Sequence, residues 1–164
     1  MSVLDKITVS AAVSDVDLDD IRALFMEYAD SLEISLCFQN FEAELAGLPG
    51  KYAPPMGRLL LAREGSQSVG CAGLRWLEAG ACEMKRLYVR PRWRGRGIGH
   101  QLAVMLIDAA HHAGYSRMRL DTLNTMKPAI ALYTSLGFRR IEPYYENPSD
   151  RAVFMELGLE NVRV

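Results

Sequence analysis

The chain has 164 residues, 49% of them hydrophobic, with 19 Lys and Arg against 20 Asp and Glu and a formal net charge of −1. That size is one ordinary domain, residues 1–164, able to bury a sizeable core. The charge balance excludes the broad positive field that drives general nucleic-acid or membrane adhesion, so neither partner is expected.

Ile7 to Val13 reads as a short strand. Val16 to about Leu32 reads as a helix, with Leu18, Ile21, Leu24, Phe25 and Tyr28 on one face and Asp15 as its predicted N-cap. Asn40 to Leu45 predicts a second short helix, and the following "GLPGKYAPPMG" a loop. Arg58 to Glu64, Ser68 to Leu77 and Ala81 to Arg90 are strand-like runs with hairpin-sized breaks, an antiparallel meander. Gly97 to Ala113 predicts a long helix with Ile98, Leu102, Leu106 and Ala109 as its buried stripe and Gly114 as its C-terminal cap. A strand at Ser116 to Leu123, a helix at Thr125 to Leu136 with Pro128 in its first turn, and strands at Phe138 to Glu142 and Arg151 to Leu159 complete the chain. A meander followed by a strand–helix–strand crossover predicts an α/β fold, a mixed sheet flanked by helices.

Cys37, Cys71 and Cys82 are odd in number, form no Cys-x-x-Cys pair and sit among apolar residues. They read as reduced packing thiols, with no metal site. Neither an apolar signal region after a basic start nor an apolar run of ~18 residues is present, so a cytoplasmic protein is expected.

The basic charge is concentrated where the meander ends. Lys85 to Arg96 holds six of the 19 basic residues and no acid. Pro91 stops the strand, while Gly95, Gly97 and Gly99 allow a tight turn and leave amide N–H groups uncovered. With the positive end of the long helix and Arg92, Arg94 and Arg96, these amides predict a cradle for a diphosphate. The spacing is Gly-x-Gly-x-Gly, with His100 after Gly99, so the dinucleotide-binding Gly-x-Gly-x-x-Gly is absent; no Gly-Lys-Ser/Thr of an NTPase loop is present either.

This segment resembles the GNAT superfamily of acetyl-CoA-dependent N-acetyltransferases. The family's Gln/Arg-x-x-Gly-x-Gly/Ala signature matches Arg94, Gly97 and Gly99 after the triplet Leu87, Tyr88 and Val89. Its Ala-x-x-x-Tyr followed by Leu-Gly-Phe matches Ala129, Tyr133 and Leu136-Gly137-Phe138. The likeness covers roughly residues 5–159 and implies a mostly antiparallel GNAT-like sheet. It implies that Arg94, Gly95, Arg96, Gly97, Ile98 and Gly99 hold the diphosphate of acetyl-CoA, with His100 beside them. It also implies that the backbone of Leu87 and Val89, flanking Tyr88, pairs with the pantetheine arm like an added strand. The family's Asn before the second motif is replaced by Met126, leaving Asn124 to take its contact.

The implied reaction moves an acetyl group from acetyl-CoA to a primary amine of a small molecule or peptide, by direct attack in a ternary complex. Tyr133 is the expected proton donor to the leaving sulfur, against the alternative that it only packs. Glu83, six residues before Val89 and expected on the same face, is the candidate base, against a carboxylate paired with Lys85 or Arg75. The Val89 amide would polarise the carbonyl. His111 and His112 read as solvent-facing, and Phe38, Phe41, Tyr52, Tyr144 and Tyr145 as aromatics that either rim the acceptor side or pack as ordinary loop residues. A silent acyl-CoA sensor would need the cradle alone. The oligomeric state is open and a homodimer is compatible with the chain.

Overall fold

The computed structural model describes residues 6–32, 35–36 and 40–160; Cys37 and Phe38 lie outside them. The described strands are β1 (Ile7–Ala11), β2 (Arg58–Glu64), β3 (Gln67–Glu78), β4 (Ala81–Val89), β5 (Arg117–Leu123), β6 (Arg139–Ile141) and β7 (Ala152–Gly158). The helices are α1 (Asp15–Ser31), α2 (Phe41–Ala46), α3 (Ile98–His112) and α4 (Lys127–Ser135). One sheet in the order β1-β2-β3-β4-β5-β7-β6 joins all seven strands, and every neighbouring pair is antiparallel except β4 and β5.

The period-2 alternation of the meander divides the core. In β2, Leu59 and Leu61 face α1, joining Leu18, Ile21, Leu24 and Phe25, while Leu60 and Ala62 face α3 with Leu102 and Leu106. The α3 stripe is completed by Ala103 and Ala110, with Ala109 only partly buried. Ser14, not Asp15, caps α1: its Oγ accepts the amide of Asp17 at 3.1 Å, and Asp17 Oδ2 accepts the amides of Val13 and Ser14. A hydroxyl one residue earlier forms this reciprocal box and leaves Asp15 inside the first turn.

The segment expected as a loop contains a core residue. Tyr52, in a 3-10 turn at Gly50–Tyr52, is 2% exposed, packs on the edge of Phe25 and donates to Glu44 at 3.0 Å. Its ring lies on β3 because position 73 has no side chain: a Cβ there would stand 2.6 Å from Tyr52 Cε1. Tyr52 therefore belongs to the core, not to a rim of loose aromatics.

Two features of β4 shape the site. It pairs with β5 only at Ala81↔Arg117, Cys82↔Met118 and Glu83↔Arg119, and beyond that point the strands part. It also carries a bulge, since Cys71↔Tyr88 and Gly73↔Lys85 set three steps of β4 against two of β3, with Arg86 at φ 61. The extra residue reverses the alternation. Cys82 and Met84 pack toward α3 before the bulge, Leu87 and Val89 after it, and Tyr88 packs toward α1.

Candidate active site

The parting of β4 from β5 opens a cleft of about 700 Å3. Leu87, Tyr88 and Val89 form one wall; Leu123 at the end of β5, Thr125 and Met126 after it, and Pro128, Ala129 and Leu132 of α4 form the other. Tyr28, Ser31 and Leu32 of α1 cover one end, and Arg94, Gly95, Gly97, Ile98 and Gly99 close the opposite end. The backbone of β4 is available inside. Arg90 N–H donates to Val69 of β3 at 2.9 Å, so by the pleat the N–H of Val89 points the other way, into the parting.

The turn into α3 has the expected character. Gly95 and Gly97 sit at φ 83 and φ 79, a left-handed geometry that glycine adopts without strain, and open space lies where their Cβ atoms would be. Gly97 is the N-cap of α3 and supplies no side-chain acceptor, so the first amides of the helix remain available to a bound anion. Arg94 is held across the turn, its Nε donating to the Val89 carbonyl at 2.9 Å and its guanidinium 5.8 Å from the Tyr88 ring centre. Trp93, buried beneath, donates its indole N–H to Glu64.

The concentration of arginines is otherwise mostly neutralised. Arg86 pairs with Glu44, Arg90 with Glu27 and Arg96 with Glu64, while Arg92 lies 5.5 Å from the Trp93 ring centre. The Arg96 side chain is thus drawn to an acid of β2 and does not line the cleft. His100 is exposed on α3 and Asn124 exposed after β5, its amide donating to the Arg151 carbonyl. Neither lines the cleft; Thr125 and Met126 do.

Tyr133 is 6% exposed, packed 5.7 Å from Phe138 edge to face, one residue beyond the lining Leu132. Burial first, then the neighbouring Tyr28 and Asp121, push its hydroxyl pKa far up, so it stays protonated at neutral pH. Glu83 needs a correction: the bulge at Arg86 puts it on the face opposite Val89. It is 1% exposed, Oε1 accepting from Arg75 Nε at 2.9 Å and Oε2 from the Tyr144 hydroxyl at 2.6 Å. The pairing is with Arg75, because Lys85 reaches across to Asp121 at 3.1 Å.

A second small cavity opens beside the cleft where β4 and β5 begin to part, between Lys85, Arg86 and Asp121. Tyr144 and Tyr145, from the connection between β6 and β7, stand over this region with Phe154, their centroids 5.2–5.5 Å apart. Phe41 of α2 lies under Arg86 at 5.2 Å. Sequence reasoning passed over Tyr28, Leu32 and Asp121. The one acid in the alternating strand "RMRLDTL" was the available signal for the last. His111 and His112 are exposed at the end of α3, His111 Nδ1 lying 3.2 Å from the Leu159 carbonyl.

The sequence profile of the Acetyltransferase (GNAT) family matches residues 18–138. The chain belongs to the GNAT family. An uncharacterized N-acetyltransferase of Schizosaccharomyces pombe is 45% identical over 155 residues, covering 93% of this chain and 95% of the relative. A GNAT acetyltransferase of Staphylococcus aureus Mu50 superposes with a TM-score of 0.79 at 19% identity, covering 94% of this chain and 100% of the other. An N-acetyltransferase of Thermoplasma acidophilum in complex with coenzyme A gives 0.70 at 18% identity, with 93% and 99% covered. This GNAT protein is an acetyl-CoA-dependent N-acetyltransferase, and its parted strands and seven-stranded sheet are the fold those structures share.

Proposed function

We propose that this GNAT enzyme acetylates a primary amine by direct attack, with donor and acceptor bound together. The carrying observation is that the donor cleft and the smaller polar cavity share walls at Tyr28, Leu32, Leu123 and Met126, so an amine can reach the inner end of the cleft while the donor fills it. A sensor would need the cleft alone.

The residues present fit acetyl-CoA. The open, uncapped turn at Gly95 and Gly97 suits its diphosphate, and the unpaired edge of β4 at Leu87 and Val89 suits the amides of its pantetheine arm. When bound, acetyl-CoA supplies a thioester whose carbonyl takes the nucleophile and whose sulfur leaves. The Val89 N–H, directed into the parting, donates toward the carbonyl oxygen, a kind of contact that contributes about 2.7–4 kcal/mol per donor elsewhere. Tyr133 holds its proton for the departing sulfur. Glu83 acts as a positioning residue, fixing Arg75 and the Tyr144 hydroxyl over the acceptor side.

Thiol release from acetyl-CoA in the presence of a panel of primary amines tests the reading. Release that depends on one class of amine is expected, and a Gly97→Asp variant, with a carboxylate in the diphosphate's place, should weaken coenzyme A binding in calorimetry. Tight coenzyme A binding with no release for any amine would return the sensor to first place.

A further inference from the structure

Main-chain pairing between β4 and β5 ends at Glu83↔Arg119, and two residues further along each strand stand Lys85 and Asp121. Their side chains bridge the first gap of the parting, Lys85 Nζ donating to Asp121 Oδ1 at 3.1 Å. The Tyr145 hydroxyl donates to Asp121 Oδ2 at 2.7 Å and in turn accepts from Asn147 Nδ2 at 2.9 Å. Asp121 and Asn147 line the cavity beside the donor cleft, and that cavity's volume of about 30 Å3 admits a group of only about two or three heavy atoms, since one water needs ~10–15 Å3.

Asp121 is the one acid lining either the cleft or this cavity among the described residues, whereas Glu83 lines neither. The charged and titratable groups around it come from four elements: Lys85 and Arg86 on β4, Tyr28 on α1, Tyr133 on α4, and Tyr144 and Tyr145 in the β6–β7 connection. Burial, and the Asp121 charge after Arg86 has offset part of it, push the Tyr28 hydroxyl up to about 12.

We infer that Asp121 is the carboxylate that receives the acceptor's amino group and takes the proton it sheds, and that the small cavity restricts the acceptor to an unbranched primary amine. This rests on the transferase reading above. The uncharged amine donates an N–H to Asp121. Its lone pair forms the C–N bond while the C–S bond breaks, the electron pair of that bond leaving on sulfur. A carboxylate is a far weaker base than a free alkylamine; the proton therefore moves to Asp121 only as C–N bond formation makes the nitrogen acidic. The sulfur takes the Tyr133 proton and the proton on Asp121 restores the tyrosine, so amine and thioester become amide and thiol with nothing left over.

The test uses n-butylamine and its branched isomer tert-butylamine, with the enzyme saturated in coenzyme A for binding by NMR titration and in acetyl-CoA for thiol release. Asp121→Asn should leave coenzyme A affinity unchanged in calorimetry, weaken n-butylamine binding about tenfold or more, and lower turnover ~10²-fold or more. Wild type should prefer n-butylamine to tert-butylamine by a similar factor. Should Asp121→Asn fail to fold on losing its ion pair with Lys85, the Lys85→Met/Asp121→Asn double variant removes both charges and should show the same losses. Either variant, folded, that keeps wild-type amine binding and turnover overturns the inference. So does a wild type that binds no n-butylamine or treats the two isomers alike. Loss of coenzyme A binding in the wild type would instead overturn the transferase reading and the inference with it.

Discussion

The proposed role of Tyr133 rests on a single buried hydroxyl. Its ring packs edge to face on Phe138, and burial raises the hydroxyl's pKa, so the group is protonated at neutral pH and is a weaker acid than a free tyrosine. Tyr133→Phe retains the ring and its packing. Turnover should therefore fall ~10²–10⁴-fold while coenzyme A affinity and melting temperature stay near wild type, as steady-state kinetics, calorimetry and thermal melts can establish. A donor with a less basic leaving thiol should recover part of the loss. At this scale the chain was legible where a motif fixes a turn, as for Gly95 and Gly97 at positive φ. It was not legible for Glu83, because counting by twos along β4 fails once Arg86 occupies a bulge.

The bulge also anchors an element. α2 is six residues long, too short to be stable by propensity. Arg86 holds it, donating through Nε and Nη2 to the two Glu44 oxygens at 3.1 and 3.0 Å, with side-chain exposures of 2% and 9%. Burial alone would raise the Glu44 pKa, but Arg86, Tyr52 and Arg75 overcome it and hold the carboxyl below its usual range. A depressed folded pKa means that this stabilisation is present above the unfolded value of ~4.3 and is lost as pH falls through the folded one. Arg86→Met leaves Glu44 buried without its main partner and should destabilise by about 3–5 kcal/mol. Adding Glu44→Leu should restore much of that. Denaturant melts at neutral and acidic pH should show the deficit of the single variant shrinking as Glu44 becomes protonated.

For the whole molecule, the parting of β4 from β5 leaves a sheet whose two halves share three residue pairs. A ligand spanning Val89 on one side and Met126 on the other joins them, and it binds only the folded chain. At coenzyme A concentrations ~100 times Kd the stabilisation is about 2.7 kcal/mol, which for a chain of this size corresponds to a rise in melting temperature of ~5–11 °C. Scanning calorimetry should show this rise for wild type and its loss in Gly97→Asp. The element order, the amphipathic faces of α1 and α3 and the glycine turn that opens α3 were determined by the sequence alone, since each is a local matter of period, cap and glycine. Tertiary structure decided which charges pair, because Glu64 reaching Arg96 and Asp121 reaching Lys85 are contacts between distant segments. It also decided that Tyr52 is core and that Asp121, not Glu83, lines the small cavity beside the cleft, since a one-residue bulge and the end of a strand pairing move side chains between faces without any mark in local sequence.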